Sequence, residues 1–93
     1  FRAPDSRERS AMEDLADRLK DLGSACTDVD LIQNEVYAAG KDAGFEPLRG
    51  WFAALYEVLL GQSQGPRFGS FVAIFGIERT IVLIESGLKG ELG

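Results

Sequence analysis

The sequence predicts an all-α fold, a compact bundle of about five helices, on three observations. Apolar residues recur at i, i+3, i+4 and i+7 through successive stretches. Gly23, Gly44, Gly61 and Gly76 stand where those stretches stop. No pair of alternating apolar segments bounded by turn signals is present that would build a sheet. The 93 residues are 45% hydrophobic, so 1–93 reads as a single α-helical domain with a core of its own.

The first helix covers 5–22, with Met12, Leu15, Ala16, Leu19 and Leu22 on one face. Asp5 or Ser6 caps it and Gly23 stops it. Its other face mixes Asp, Glu, Arg and Lys, the pattern of a solvated surface. A second helix is capped by Asp28 or Asp30 and runs to about Ala43, on Val29, Ile32, Val36 and Ala39. Gly40 inside it costs ~1 kcal/mol relative to alanine, which close approach of another helix would explain.

The third helix is expected to open with Pro47 at its first position, where a missing N–H does no harm. Leu48, Trp51, Phe52, Leu55, Tyr56 and Leu59 form its broad apolar stripe, and Gly61 closes it. At that spacing Trp51 and Tyr56 are core residues before they are stacking platforms. A short fourth helix covers about 67–75, built on Phe68, Phe71, Val72 and Phe75. Gly76 separates it from a fifth, about 78–88, with Ile77, Ile81, Ile84 and Leu88. The β-branched "TIVLI" would also suit a strand, but no partner strand is in reach.

Composition removes several functions. With no histidine and only Cys26, there is no disulfide framework, Cys/His zinc site or histidine triad. Cys26 lies in an inter-helix loop with nothing to activate it. No catalytic residue and no metal ligand set is identified. The longest apolar run is interrupted by Glu78 and Arg79, too early to span a bilayer. No signal-peptide pattern is read in the residues before it. The net charge of −5 falls wholly on residues 1–46, with eleven acids and six bases, while residues 47–93 hold four of each. A polyanion is therefore expected to meet the second half, with the acidic first half facing away. The chain begins with Phe1 and ends in "ELG", which reads as a piece of something longer.

The run "GQSQGPRFGSF", 61–71, admits two readings. In the first it is punctuation: Gly61 ends a helix, Gly65 accepts the geometry that precedes Pro66, Pro66 starts a helix and Gly69 lets that helix pack closely. In the second it grips a nucleic acid. The N–H groups of about 67–69, unpaired at a helix start beside Arg67, would form a small anion site. Gln62, Ser63 and Gln64 offer uncharged donors and acceptors suited to bases or sugars of a single-stranded loop. Arg49 and Arg79 would extend the patch. The Walker and dinucleotide fingerprints do not fit, since Gly69 is followed by Ser70-Phe71 and the glycines are spaced by four after a helix.

The stretch "WFAALYEVLLGQSQGPRFGSFVAIFGIERTIVLI", with "LIQNEVYAAGKDAGFEPLRGWF" before it, resembles the C-terminal end of class I lysyl-tRNA synthetases. Gln62, Gly65, Pro66, Arg67 and Gly69 match that family's G-Q-x-x-G-P-R-h-G motif. A looser likeness extends to the anticodon-binding domains of glutamyl-type synthetases. The resemblance implies a C-terminal fragment of a cytoplasmic synthetase, from its all-helical, anticodon-binding cage. The partners it implies are the anticodon region of tRNA(Lys) and the remainder of the synthetase chain, with no DNA or membrane. ATP would be used by the parent enzyme on another domain; this fragment, lacking HIGH- and KMSKS-like signatures, would hold no cofactor and be inactive alone. The alternative from a different class is a helical protein–protein interaction or dimerisation module without RNA contact.

Overall fold

Asp5 and Glu8 form a reciprocal cap at the start of the first helix. The Asp5 carboxylate accepts from the Glu8 N–H at 2.8 Å, and the Glu8 carboxylate accepts from the Asp5 N–H at 3.0 Å. This fixes α1 as Ser6–Leu22, and the Gly23 N–H, at φ 90°, closes it on Leu19 and Lys20. The computed structural model describes residues 3–62, 65 and 67–90.

Asp28 caps α2 (Val29–Asp42), accepting from the N–H groups of Asp30 and Leu31. Its far end is a Schellman turn: the Phe45 N–H reaches back to the Gly40 carbonyl and the Gly44 N–H to that of Lys41, with Gly44 at φ 90°. The next helix departs from expectation. The Glu46–Pro47 peptide is cis, Leu48 is the N-cap, and α3 is Arg49–Leu55. Pro47 thus stands in the turn before the helix and not at its first position. Residues 44–48 are used to swing Phe45 against Trp51, ring centroids 5.6 Å apart, before the helix begins.

α3 runs on as one π-helical segment, Tyr56–Leu60, ended by Gly61 in the left-handed region at φ 69°. There the Gly61 and Gln62 N–H groups both converge on the Tyr56 carbonyl. α4 is Phe68–Phe75 and α5 is Ile77–Leu88. Gly76, at φ 103°, joins them: its N–H ends α4 on Val72, and its carbonyl accepts the Thr80 N–H and hydroxyl. The predicted all-α bundle of five helices is therefore observed, with no strand among the described residues.

α1 packs between α2 and α5, α2 also covers α4, and α5 touches the π-helical segment. The core joins Met12, Leu15 and Leu19 to Ile32, Val36, Trp51, Leu55, Leu59, Phe68, Val72, Ile77 and Ile84, all buried. Each such side chain contributes roughly 1.5–3 kcal/mol by leaving water. On the outside of the α1–α2 seam, Arg18 gathers Asp14, Glu35 and Asp42. Hydrogen bonding to Asp14, and then to Glu35, holds this guanidinium even more firmly in its charged form. One cation thereby offsets part of the acidic excess of the first half.

Candidate nucleic-acid interface

The glycine loop leaves the π-helical segment at Gly61 and enters α4 through Arg67. Gly61, Gln62, Gly65 and Arg67 are exposed; Phe68 and Gly69, immediately after, are buried. Ser63, Gln64 and Pro66 lie outside the described residues. Tyr56 forms the support beneath the loop. Its ring lies so near Gly65 that a Cβ there would sit 3.3 Å from Cδ1, and it also meets Phe68 at 6.4 Å between centroids. Burial pushes the Tyr56 hydroxyl up from its ordinary pKa, so it stays neutral at physiological pH.

One of the N–H groups expected to form an anion site at the start of α4 is taken up from within. The Gly69 N–H donates to the Gln33 Oε1 at 2.6 Å in a buried hydrogen bond. This N–H, one of those expected to be free for a phosphate, is satisfied by α2. Gln33 is 3% exposed, and a Cβ on Gly69 would lie 2.7 Å from its Oε1 and 2.9 Å from the Val29 carbonyl oxygen. The close packing anticipated at Gly69 is observed, and Gln33 is its partner. Periodicity gave no sign of that residue, since a glutamine beside Ile32 reads as the polar flank of the helix.

The Arg67 side chain stays open to a ligand. It is 54% exposed, and its Nη2 lies 3.7 Å from Oδ1 of Asp30, itself 84% exposed. An ion pair that long and that wet is worth little, about 0–1 kcal/mol. It does correct one expectation: the acidic half does not face wholly away. By bonding Gly69, Gln33 draws the first turn of α2 to the loop, and Asp30 comes with it. Arg49 does not join this patch. It opens α3 near the Phe45 turn at the far end of α2, whereas Arg67 pairs with the first turn of α2. Arg79 lies beyond the other end of α4, its guanidinium 4.3 Å over the Phe75 ring.

Trp51 takes no part in a surface. It is fully buried, with its Nε1–H donating to the Val36 carbonyl at 2.8 Å. Its indole lies against Gly40, where any Cβ would collide with the ring, as close helix approach requires. Among the described residues, no group of three His, Cys, Asp or Glu is placed to hold a metal ion. No described helix is long and apolar enough to cross a membrane. Cys26 is a free thiol, partly buried against the core.

No protein-family profile matches the chain. No solved structure matches it either. Curated proteins do. Over 92 residues, 99% of its length, it is 53% identical to a lysine–tRNA ligase of Roseobacter denitrificans. Over 88 residues it is 39% identical to the lysine–tRNA ligase of Rickettsia felis and 41% identical to that of Rickettsia bellii. The chain spans 17% of the length of each of these relatives. Almost from end to end, then, this helical bundle is related to a single segment of lysine–tRNA ligases.

Proposed function

We propose that this chain is the anticodon-binding, tRNA-recognising part of a class I lysine–tRNA ligase, which joins lysine to tRNA(Lys) with ATP in the cytoplasm. The observation that carries the reading is its similarity to lysine–tRNA ligases along 99% of its own length. In this reading lysine activation and ATP belong to the remainder of the polypeptide, and this bundle supplies recognition alone. The composition suits that division of labour, because a chain without histidine cannot carry the HIGH-like signature that the resemblance assigns to the catalytic domain.

The loop offers chemistry for a single-stranded RNA turn. Arg67 exchanges its long contact with Asp30 for a phosphate at true hydrogen-bond distance, which is stronger because both partners are charged. Gln62, exposed on the same loop, presents an amide that pairs with a base edge or a ribose hydroxyl. Asp28 and Asp30 repel phosphates on the α2 side, so the strand approaches from the side of Gly65. With Trp51 buried, recognition here rests on charge and polar contacts and not on indole stacking.

Nuclease footprinting of tRNA(Lys) on the full-length ligase tests this reading. Protection of the anticodon loop is expected, with Arg67→Ala plus Gln62→Ala erasing it while the acceptor stem stays protected. An anticodon loop equally open to cleavage with and without the wild-type enzyme would overturn it.

A further inference from the structure

Away from the glycine loop, the last turn of α4 and the middle of α5 each carry an exposed aliphatic side chain. Ile74 is 88% exposed and Val82 60%. Phe75, Glu78, Arg79, Val82, Leu83 and Ser86 line a groove of about 420 Å³ there. The other large exposed apolar residues described, Leu31 and Tyr37, are on α2, and Tyr37 already meets the Phe52 ring edge-on at 5.4 Å. The groove is preformed. The Phe75 ring stacks on Phe71 at 5.1 Å between centroids, and Arg79 lies over it at 4.3 Å.

Charge selects the occupant. Glu78 and Arg79 oppose one another in the lining, and the second half of the chain has no net charge. Nothing here draws a polyanion, and two aliphatic side chains in water ask for apolar cover. We propose that this groove seats another part of the same ligase polypeptide, whose apolar side chains press on Ile74, Phe75 and Val82. The proposal rests on reading the chain as part of a ligase. Its relatives are far longer, the chain spanning 17% of each, so most of such a protein lies outside this bundle and must hold it in place. Contacts between domains of one polypeptide bury about 600–1,500 Å², for which a rigid apolar groove is a suitable centre. The site is compatible with RNA at the loop. Arg67 and Phe75 stand at opposite ends of α4, about 12 Å apart along its axis.

A benzophenone amino acid in place of Val82 in the full-length ligase tests the assignment, irradiated with and without tRNA(Lys). Cross-links within one polypeptide, at monomer mass and in both conditions, are expected. Cross-links to tRNA, cross-links between two copies, or no protein cross-link would each overturn it. Hydrogen exchange gives an independent reading on the Ile74→Asp plus Val82→Asp variant of the same ligase. Amides of α4 and α5 should exchange at least about tenfold faster at unchanged helix content, because docking no longer restrains local opening. Unchanged exchange would count against the docking. Aminoacylation of tRNA(Lys) by the unmodified ligase separates the two ideas: its absence removes the ligase reading, whereas misplaced cross-links remove only the docking.

Discussion

Helix α2 meets the second half of the chain at two joints built from opposite materials. Toward its C-terminal end Gly40 admits the Trp51 indole, and the joint is apolar, with one hydrogen bond from the ring to the Val36 carbonyl. Toward its N-terminal end the glycine is on the other partner: Gly69 of α4 admits Gln33, and the joint is a buried amide bonded to a helix N–H. Both glycines serve close packing. Yet the first joint is sealed under Phe45, while the second carries an exposed loop with Arg67 at its edge. Stability is thus concentrated at one end of α2 and exposed polar chemistry at the other.

The sharpest way to break that contrast is at the sealed end. Trp51→Ala should cost ~3–5 kcal/mol, since it leaves a ring-sized void and an unpaired contact at Val36. Gly40→Ala should cost about 1–3 kcal/mol by overpacking the indole, more than the ~1 kcal/mol that alanine returns as helix propensity. Hydrogen exchange at the amides of α2 and α3 in the full-length ligase, followed across a urea series, measures both. A Gly40→Ala protein of raised stability would show that the indole has room to move.

The polar joint should answer more mildly. Gln33→Ala removes the acceptor of the Gly69 N–H inside the protein, a loss of about 1–3 kcal/mol. The distinguishing result is local. Amide exchange at Gly69 and through the first turn of α4 should quicken, while the Trp51 environment in α3 keeps its fluorescence. Simultaneous loosening of both regions would mean that the two joints are one cooperative unit, and the contrast drawn between them would fail.

The sealed joint was legible in the sequence, and the polar one was not. Trp51 falls at helical spacing with Leu48, Phe52 and Leu55, and a glycine inside α2 announces a close neighbour, so both halves of that contact carry a signal. Gly69 carried the same signal, but its partner did not. Gln33 is buried because a backbone N–H needs it there, and hydrophobic periodicity is blind to a polar residue buried for satisfaction. That omission let the Gly69 N–H be counted among the free donors expected at 67–69. It also hid the approach of Asp30 to Arg67, which follows from the docking of α2 on α4. Pro47 failed for a different reason. Proline suits a first helical turn, but it suits the preceding turn as well, and the packing of Phe45 on Trp51 decides between them.

The smallest stability effect belongs to Arg67, and for that reason it is the most informative about function. Its pairing with Asp30 is long and exposed, so Arg67→Ala should change unfolding free energy by no more than about 0.5 kcal/mol. If the side chain holds an RNA phosphate in the full-length ligase, the same substitution should raise the KM for tRNA(Lys) roughly three- to tenfold. Parameters for lysine and ATP should not move if, as proposed, their chemistry belongs to the remainder of the polypeptide. The log–log salt dependence of tRNA binding should also flatten, by ~0.7 for a single-stranded contact and about one unit for a duplex. Gln62→Ala should instead alter discrimination among anticodon variants at unchanged salt slope, since an amide carries no charge to release counterions. Asp30→Asn completes the set: freeing Arg67 and removing a nearby negative charge should tighten tRNA binding. A tRNA KM and salt slope that ignore all three substitutions would leave the loop as a connector between two helices, with its cation facing only Asp30 and water.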